Sequence, residues 1–368
     1  MGRIMAQPHT PEIIGGESPE KKRIVGLDVA RLIAALGVIW LHTGYSDYNM
    51  LGHFRMPFFT GLLAYLVAAK IIRDPGYRFL QFTRSRAWRI LVPFAVWLVL
   101  YRIPSVWRGH LPVAFTFSNL LMGLGTIPLW FLPFAFCASL LAFGLAKGVL
   151  SAGGSRRWQW ATLLAVAGAA WSLVPLADQT VNLFTMGAPL LGAVALGVAL
   201  RFLTESPRVK MFVAREWIIW ILLWLLFACL SMSLDVSAAN FFGVISGFFL
   251  LLAGLTLPLR KWPSFWTYLG KLSFGMYLTH WAFVVLLGHL GVVGENVVPL
   301  RFALILAGSI AAAALLQRVP WGQFLLGLEP RAKKKQAMPQ PIRELSPEPV
   351  AVEVVAAPRE MPAMALQR

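Results

Sequence analysis

Ten stretches of close to twenty apolar residues dominate this chain, at 27–45, 55–72, 88–105, 129–150, 158–176, 183–203, 216–234, 239–258, 272–292 and 297–316. About 20 apolar residues in a helix match the hydrocarbon thickness of a bilayer, and a backbone in lipid must satisfy its own N–H and C=O groups. The fold class that follows is all-α, a polytopic integral membrane helical bundle of about ten transmembrane helices. The span at 88–105 is the least regular, with Arg89 near its start and Pro93 and Pro104 inside it. Proline within a membrane helix is tolerated where neighbours satisfy the freed carbonyl.

Charge placement gives the orientation. Alternate connections hold Lys70, Arg73, Arg78, Arg84, Arg86 and Arg89, then Lys147, Arg156 and Arg157, then Arg201, Arg208, Lys210 and Arg215, then Arg260, Lys261 and Lys271. The opposite side has only Arg55, Arg102, Arg108 and Arg301, with Asp47, Asp178, Asp235 and Glu295. By the positive-inside rule both termini are expected to be cytoplasmic. An extra span over 111–127 would reverse the parity, so that stretch reads as an interfacial or re-entrant element on the outer face. The formal charge of +17 would by itself suit a nucleic-acid partner, but only 13% of residues are charged and the basic ones cluster between apolar runs, so no nucleic acid is expected.

Three domains follow. Residues 1–22 are a polar cytoplasmic segment without the apolar core of a secretory signal, residues 23–317 are the membrane domain, and residues 318–368 read as a disordered cytoplasmic tail rich in Pro, Glu, Lys and Ala. Cys137 and Cys229, each inside an apolar run, imply neither a disulfide framework nor a zinc site, and no metal site is expected. No Gly-rich phosphate loop precedes a helix, so side chains would have to hold any phosphate.

Ionisable residues inside lipid-spanning helices are costly and mark functional candidates. The first span, LDVARLIAALGVIWLHTGY, holds Arg31 and His42 eleven residues apart. At about 100° per residue they share one helix face, about 16 Å apart along the axis. Asp28 stands three residues before Arg31, within reach of its guanidinium, as a supporting partner or an interface anchor. His42 lies in the outer half of the membrane, where a neutral imidazole can accept a hydroxyl proton, or merely hydrogen-bond a neighbouring helix. Arg86 and Arg89, in RSRAWRILVP, offer two guanidinium forks at the cytoplasmic boundary, suited to a phosphate or to topology alone. In LGKLSFGMYLTHW, Ser273, Tyr277 and His280 recur on one face and read as cavity lining or as a packing cluster, while His289 points elsewhere. Trp130, at the outer boundary, reads as cavity lining or as an ordinary interfacial aromatic.

Taken in order, LDVARLIAALGVIWLH, RMPFFTGLLAYL, RAWR, PLWFLPFAF and SFGMYLTH resemble the membrane-bound acyltransferase family 3, sugar and glycan O-acyltransferases, over approximately residues 23–316. The resemblance implies an O-acyltransferase of the cell inner membrane that moves an acyl group, acetyl in the first instance, from cytosolic acyl-CoA to a hydroxyl of an envelope carbohydrate or glycolipid. Acyl-CoA is then a co-substrate, with no permanently bound cofactor. By position, Arg31 and His42 match the family's essential pair and Arg86 and Arg89 its donor-side arginines. No fused extracytoplasmic domain is recognisable, so transfer is expected from the membrane domain alone or with separate glycan-assembly proteins. His42 is expected to be a general base or an acyl-accepting nucleophile. A proton-coupled transporter using the same Arg and His residues is the alternative reading, and a non-catalytic polymer-handling subunit a third; the missing internal repeat disfavours a carrier.

Overall fold

A computed structural model describes residues 23–43, 53–107, 116–123, 127–154, 156–173, 186–233, 236–259 and 261–328. Every apolar run is helical there: α1 (Val25–Leu41), α2 (Arg55–Arg73), α3 (Phe79–Trp107), α5 (Phe131–Ser151), α6 (Arg156–Ser172), α7 (Leu191–Leu203), α9 (Trp217–Ser233), α10 (Val236–Thr256), α11 (Pro263–His289) and α12 (Val298–Arg318). Shorter helices are α4 (Phe117–Leu121), α8 (Pro207–Arg215) and α13 (Pro320–Leu325), and no strand occurs among the described residues.

Among the described residues, five helical stretches are long and apolar enough to cross a membrane: 55–73, 128–151, 239–256, 263–289 and 298–318. A sixth is reached if Ala188–Leu203 and Pro207–Arg215, bent by 113° at a short break, form one broken span. The count of ten and the side of the termini rest on the apolar runs and loop charges of the sequence. Pro93 does not break α3, which runs continuously through it. In the stretch read as interfacial, α4 has five residues, far short of a crossing; 111–115 and 124–126 lie outside the described residues.

α1 sits centrally, packed against α2, α10, α11 and α12, with α5 and α7 beyond α2. Small side chains let backbones approach, the usual device where lipid supplies no hydrophobic drive between helices. Ala30, Ala34 and Ala35 of α1 are buried, and a methyl on Gly254 of α10 would lie 2.8 Å from the Ala30 Cβ. Peripheral α9 instead exposes Ile218, Ile219, Leu222, Leu225 and Leu226, the surface expected against lipid tails.

The ordered chain runs past the expected tail boundary at 318. The segment PWGQFL is apolar enough to dock as α13: the Trp97 indole N–H donates to Leu325 O at 3.0 Å, and Trp88 meets Phe324 edge to face. The N-terminal segment 1–22 and tail residues 329–368 lie outside the described residues.

Candidate functional site

α1 and α11 run in the same direction, because Asp28 near the start of α1 lies against Gly270 while His42 at its end meets His280. The C-terminal end of α1 and the C-terminal half of α11 therefore converge on two imidazoles. His42 caps α1, its backbone N–H donating to Ile39 O at 3.1 Å. Its ring stacks on His280, centroids 5.3 Å apart and planes 28° apart, and meets Trp281 edge to face at 5.3 Å.

His280 is fully buried, and its Nδ1 lies 2.6 Å from the Tyr277 carbonyl. A carbonyl only accepts, so Nδ1 carries the proton and in the neutral ring Nε2 keeps its lone pair. That Nε2 is buried with no hydrogen-bond partner. Tyr277 and Tyr101 lock the arrangement, their hydroxyls donating to Pro128 O and Leu278 O and tying α11 to the 127–130 turn and to α3. The Ser273 hydroxyl donates within its own helix, to Gly270 O at 2.8 Å. Trp130 is buried against Phe131 and Phe134 in the apolar core. Of the residues expected to line a cavity, His280 thus meets His42, Tyr277 braces it, and Ser273 and Trp130 lie in packed surroundings.

Asp28 is buried and anchors two arginines at the other end of α1. Arg23 donates to it through Nε at 2.7 Å and Nη2 at 2.9 Å, and Arg31 through Nη1 at 3.3 Å. The hydrogen bond to Asp28 holds the Arg23 pKa above its ordinary value. Asp28 thus orients Arg31 from its own helix, and the shared helix face leaves Arg31 about 16 Å of axial rise from His42. Asp28→Asn should therefore destabilise the folded protein by about 2 kcal/mol. That is less than a fully buried pair, because both arginines are partly in water. A drop in thermal unfolding temperature in detergent, absent for Lys70→Gln at an exposed pair, checks this.

Arg86 and Arg89 stand one turn apart on α3 but in different surroundings. Arg86 is half-buried with its guanidinium 5.3 Å from the Phe82 ring centre. Arg89 borders an open groove of about 650 Å³ lined by Leu80, Gln81, Arg84, Ser85, Trp88 and Arg89. Arg84, counted from sequence only as a topology charge, joins Arg89 there.

Three of the four arginines that the charge pattern assigns to the outer side have a buried nitrogen without a hydrogen-bond partner: Arg55 Nε, Arg102 Nη2 and Arg301 Nε. Arg108 lies outside the described residues. Arg301 donates to Thr43 O at 2.8 Å, beside His42. Arg55 is 8% exposed, donates to Gly37 O at 2.7 Å, and lies close enough to both His42 and His280 to act on each electrostatically. Basic residues on the side that should lack them were the available signal.

The geometry places an imidazole pair at the C-terminal end of α1, an arginine tethered to Gly37 of the same helix, and a basic groove on α3. Comparison with known families gives this arrangement its context: the model of the acyltransferase domain of acyltransferase family 3 matches residues 24–318, from the residue before α1 to the end of α12. No curated protein and no solved structure matches the chain. The match spans the imidazole pair, the Asp28 cluster and the α3 arginines alike, and on its extent the chain belongs to acyltransferase family 3.

Proposed function

We propose that this membrane acyltransferase takes an acyl group, acetyl in the first instance, from cytosolic acyl-CoA and transfers it to a hydroxyl of an envelope carbohydrate or glycolipid at the outer face of the cell inner membrane. The observation that carries this reading is the seating of His42 against His280 and Trp281 at the outer end of α1, in a chain whose family performs acyl transfer. The α3 groove with Arg84 and Arg89, and Arg86 on the adjoining face, suits the phosphates of coenzyme A, since guanidinium forks bind phosphate oxygens in pairs.

In the proposed reaction the thioester reaches His42 from the cytosolic side. His42 takes the proton of the acceptor hydroxyl as the oxygen attacks the thioester carbonyl. The C–O bond forms, the tetrahedral adduct collapses with loss of the C–S bond, and the imidazolium returns its proton to the coenzyme A thiolate. Arg31, oriented by Asp28, is assigned to the donor path, because its axial distance from His42 keeps it from the reacting carbon.

The test is transfer of radiolabelled acetyl-CoA to glycan extracted from cells lacking this chain, using protein reconstituted in vesicles, with free coenzyme A and labelled glycan both measured. Labelled glycan and stoichiometric coenzyme A are expected. Glycan that stays unlabelled while the protein moves protons or solutes across the vesicle would reject the reading. Arg86→Ala combined with Arg89→Ala should raise the acetyl-CoA KM by about tenfold or more, as expected for lost charge-assisted hydrogen bonds. An unchanged KM would leave these arginines a topological role alone.

A further inference from the structure

Among the described residues, Arg55 is the most buried of the arginines assigned to the outer side, at 8% exposure. Among the described residues no carboxylate pairs with it, and of its donors Nη1 is committed to Gly37 O while Nε–H is buried and unpartnered. Ionisable side chains within a membrane are costly to hold and mark functional candidates. The negative end of α1, to which Arg55 is tethered through Gly37, offsets part of its charge. It leaves Nε–H without an acceptor.

The surroundings identify what arrives. His42 and His280 lie close enough for Arg55 to act on both, and His280 offers a buried Nε2 lone pair. Lone pairs beside an N–H donor are the complement of a hydroxyl adding to a carbonyl: the hydroxyl proton needs an acceptor, and the carbonyl oxygen, which gains negative charge, needs a donor. Preorganised donors in a site shielded from water supply much of the rate enhancement in acyl transfer.

We propose that Arg55 is a catalytic residue whose Nε–H binds the thioester carbonyl oxygen and stabilises the oxyanion formed when the acceptor hydroxyl attacks. This deepens the acyltransferase reading and rests on it. The carbonyl π electrons move onto oxygen beside Arg55 as the C–O bond forms and the hydroxyl proton passes to His42. On collapse they return, the C–S bond breaks, and the thiolate leaves with the proton from His42. Arg55 neither gains nor loses a proton.

The experiment compares wild type with Arg55→Lys and Arg55→Ala, reconstituted in vesicles with radiolabelled acetyl-CoA and with the neutral and acidic fractions of the extracted glycan as separate acceptors. Arg55→Lys retains a charge and a donor able to reach Gly37 O, which guards against misfolding, but loses the fork geometry. We expect kcat to fall by about 10²–10³-fold in Arg55→Ala, with both KM values within about twofold and the same loss on both glycan fractions. Millimolar guanidinium should restore part of the Arg55→Ala rate and none of any deficit in Arg31→Ala. A rise in KM confined to the acidic fraction, with kcat retained, would make Arg55 a binder of acceptor carboxylates and overturn the assignment. Full kcat in both folded variants would overturn it as well. A wild-type protein that transfers no acetyl group defeats the acyltransferase reading itself, whereas an active wild type with active Arg55 variants defeats the oxyanion assignment alone.

Discussion

His42→Ala is expected to lower acyl transfer by about 10²–10⁴-fold, or roughly 2.7–5.5 kcal/mol of transition-state stabilisation, with the acetyl-CoA KM nearly unchanged. The split follows from position. His42 closes α1 at the end remote from the α3 groove, so its loss removes a proton acceptor and leaves the donor contacts in place. The cavity opened by the substitution borders His280 and Trp281, whose backbones are fixed within α11, so the fold should survive. Steady-state kinetics of the reconstituted variant, with melting temperature as a folding control, make the measurement. Unimpaired transfer would remove His42 from the chemistry, and a loss matched by an unfolded protein would make its role structural. His42→Gln separates the roles further: it keeps a polar side chain at the site yet cannot accept the hydroxyl proton, so it should be as inactive as His42→Ala.

Gly270→Leu should both destabilise the protein and abolish transfer, although residue 270 lies ten positions along α11 from His280. A Cβ at 270 would fall onto the Asp28 Cβ and lie 2.8 Å from the Asp28 Cα and Cγ. Neither helix can yield locally, because Asp28 is buried and held by two arginines. The helices must separate, and overpacking of this kind typically costs about 1–3 kcal/mol. Since α1 and α11 are the two elements that bring His42 onto His280, separating them also dismantles the imidazole pair. Gly288→Leu, on the same helix, is the control: a Cβ there meets nothing within 4 Å, and exchanging glycine for leucine in a helix is favourable by several tenths of a kcal/mol. Opposite shifts in melting temperature for the two variants, with activity lost only in the first, are the expected result. Equal shifts would mean that the close approach at Gly270 does not hold the pair together.

Much of the architecture was legible because it depends on composition over windows of about 20 residues, where lipid solvation overrides finer detail. The described residues of all ten apolar runs are mainly helical, and α3 passes through Pro93. Residue spacing placed Asp28 beside Arg31 on one turn, and the structure shows them hydrogen-bonded. The boundary between PWGQFL and the tail was less legible, since six residues are too few for a periodic signal; α13 is held by Trp97 and Trp88, which stand more than 200 residues earlier in the chain.

From its residues alone the chain dictated an all-helical membrane protein, the candidate pair in α1, and the family resemblance, all of which follow from local periodicity and ordered motifs. Tertiary packing alone decided that His280 stacks on His42 rather than merely lining a cavity, that Tyr277 reaches Pro128, and that Arg55, tethered to Gly37 with an idle donor, acts electrostatically on both imidazoles. The physical reason is that a helix face is readable from spacing, whereas the partner across that face depends on how closely two backbones approach. Here one missing side chain, at Gly270, lets α11 settle against Asp28 and brings His42 and His280 together.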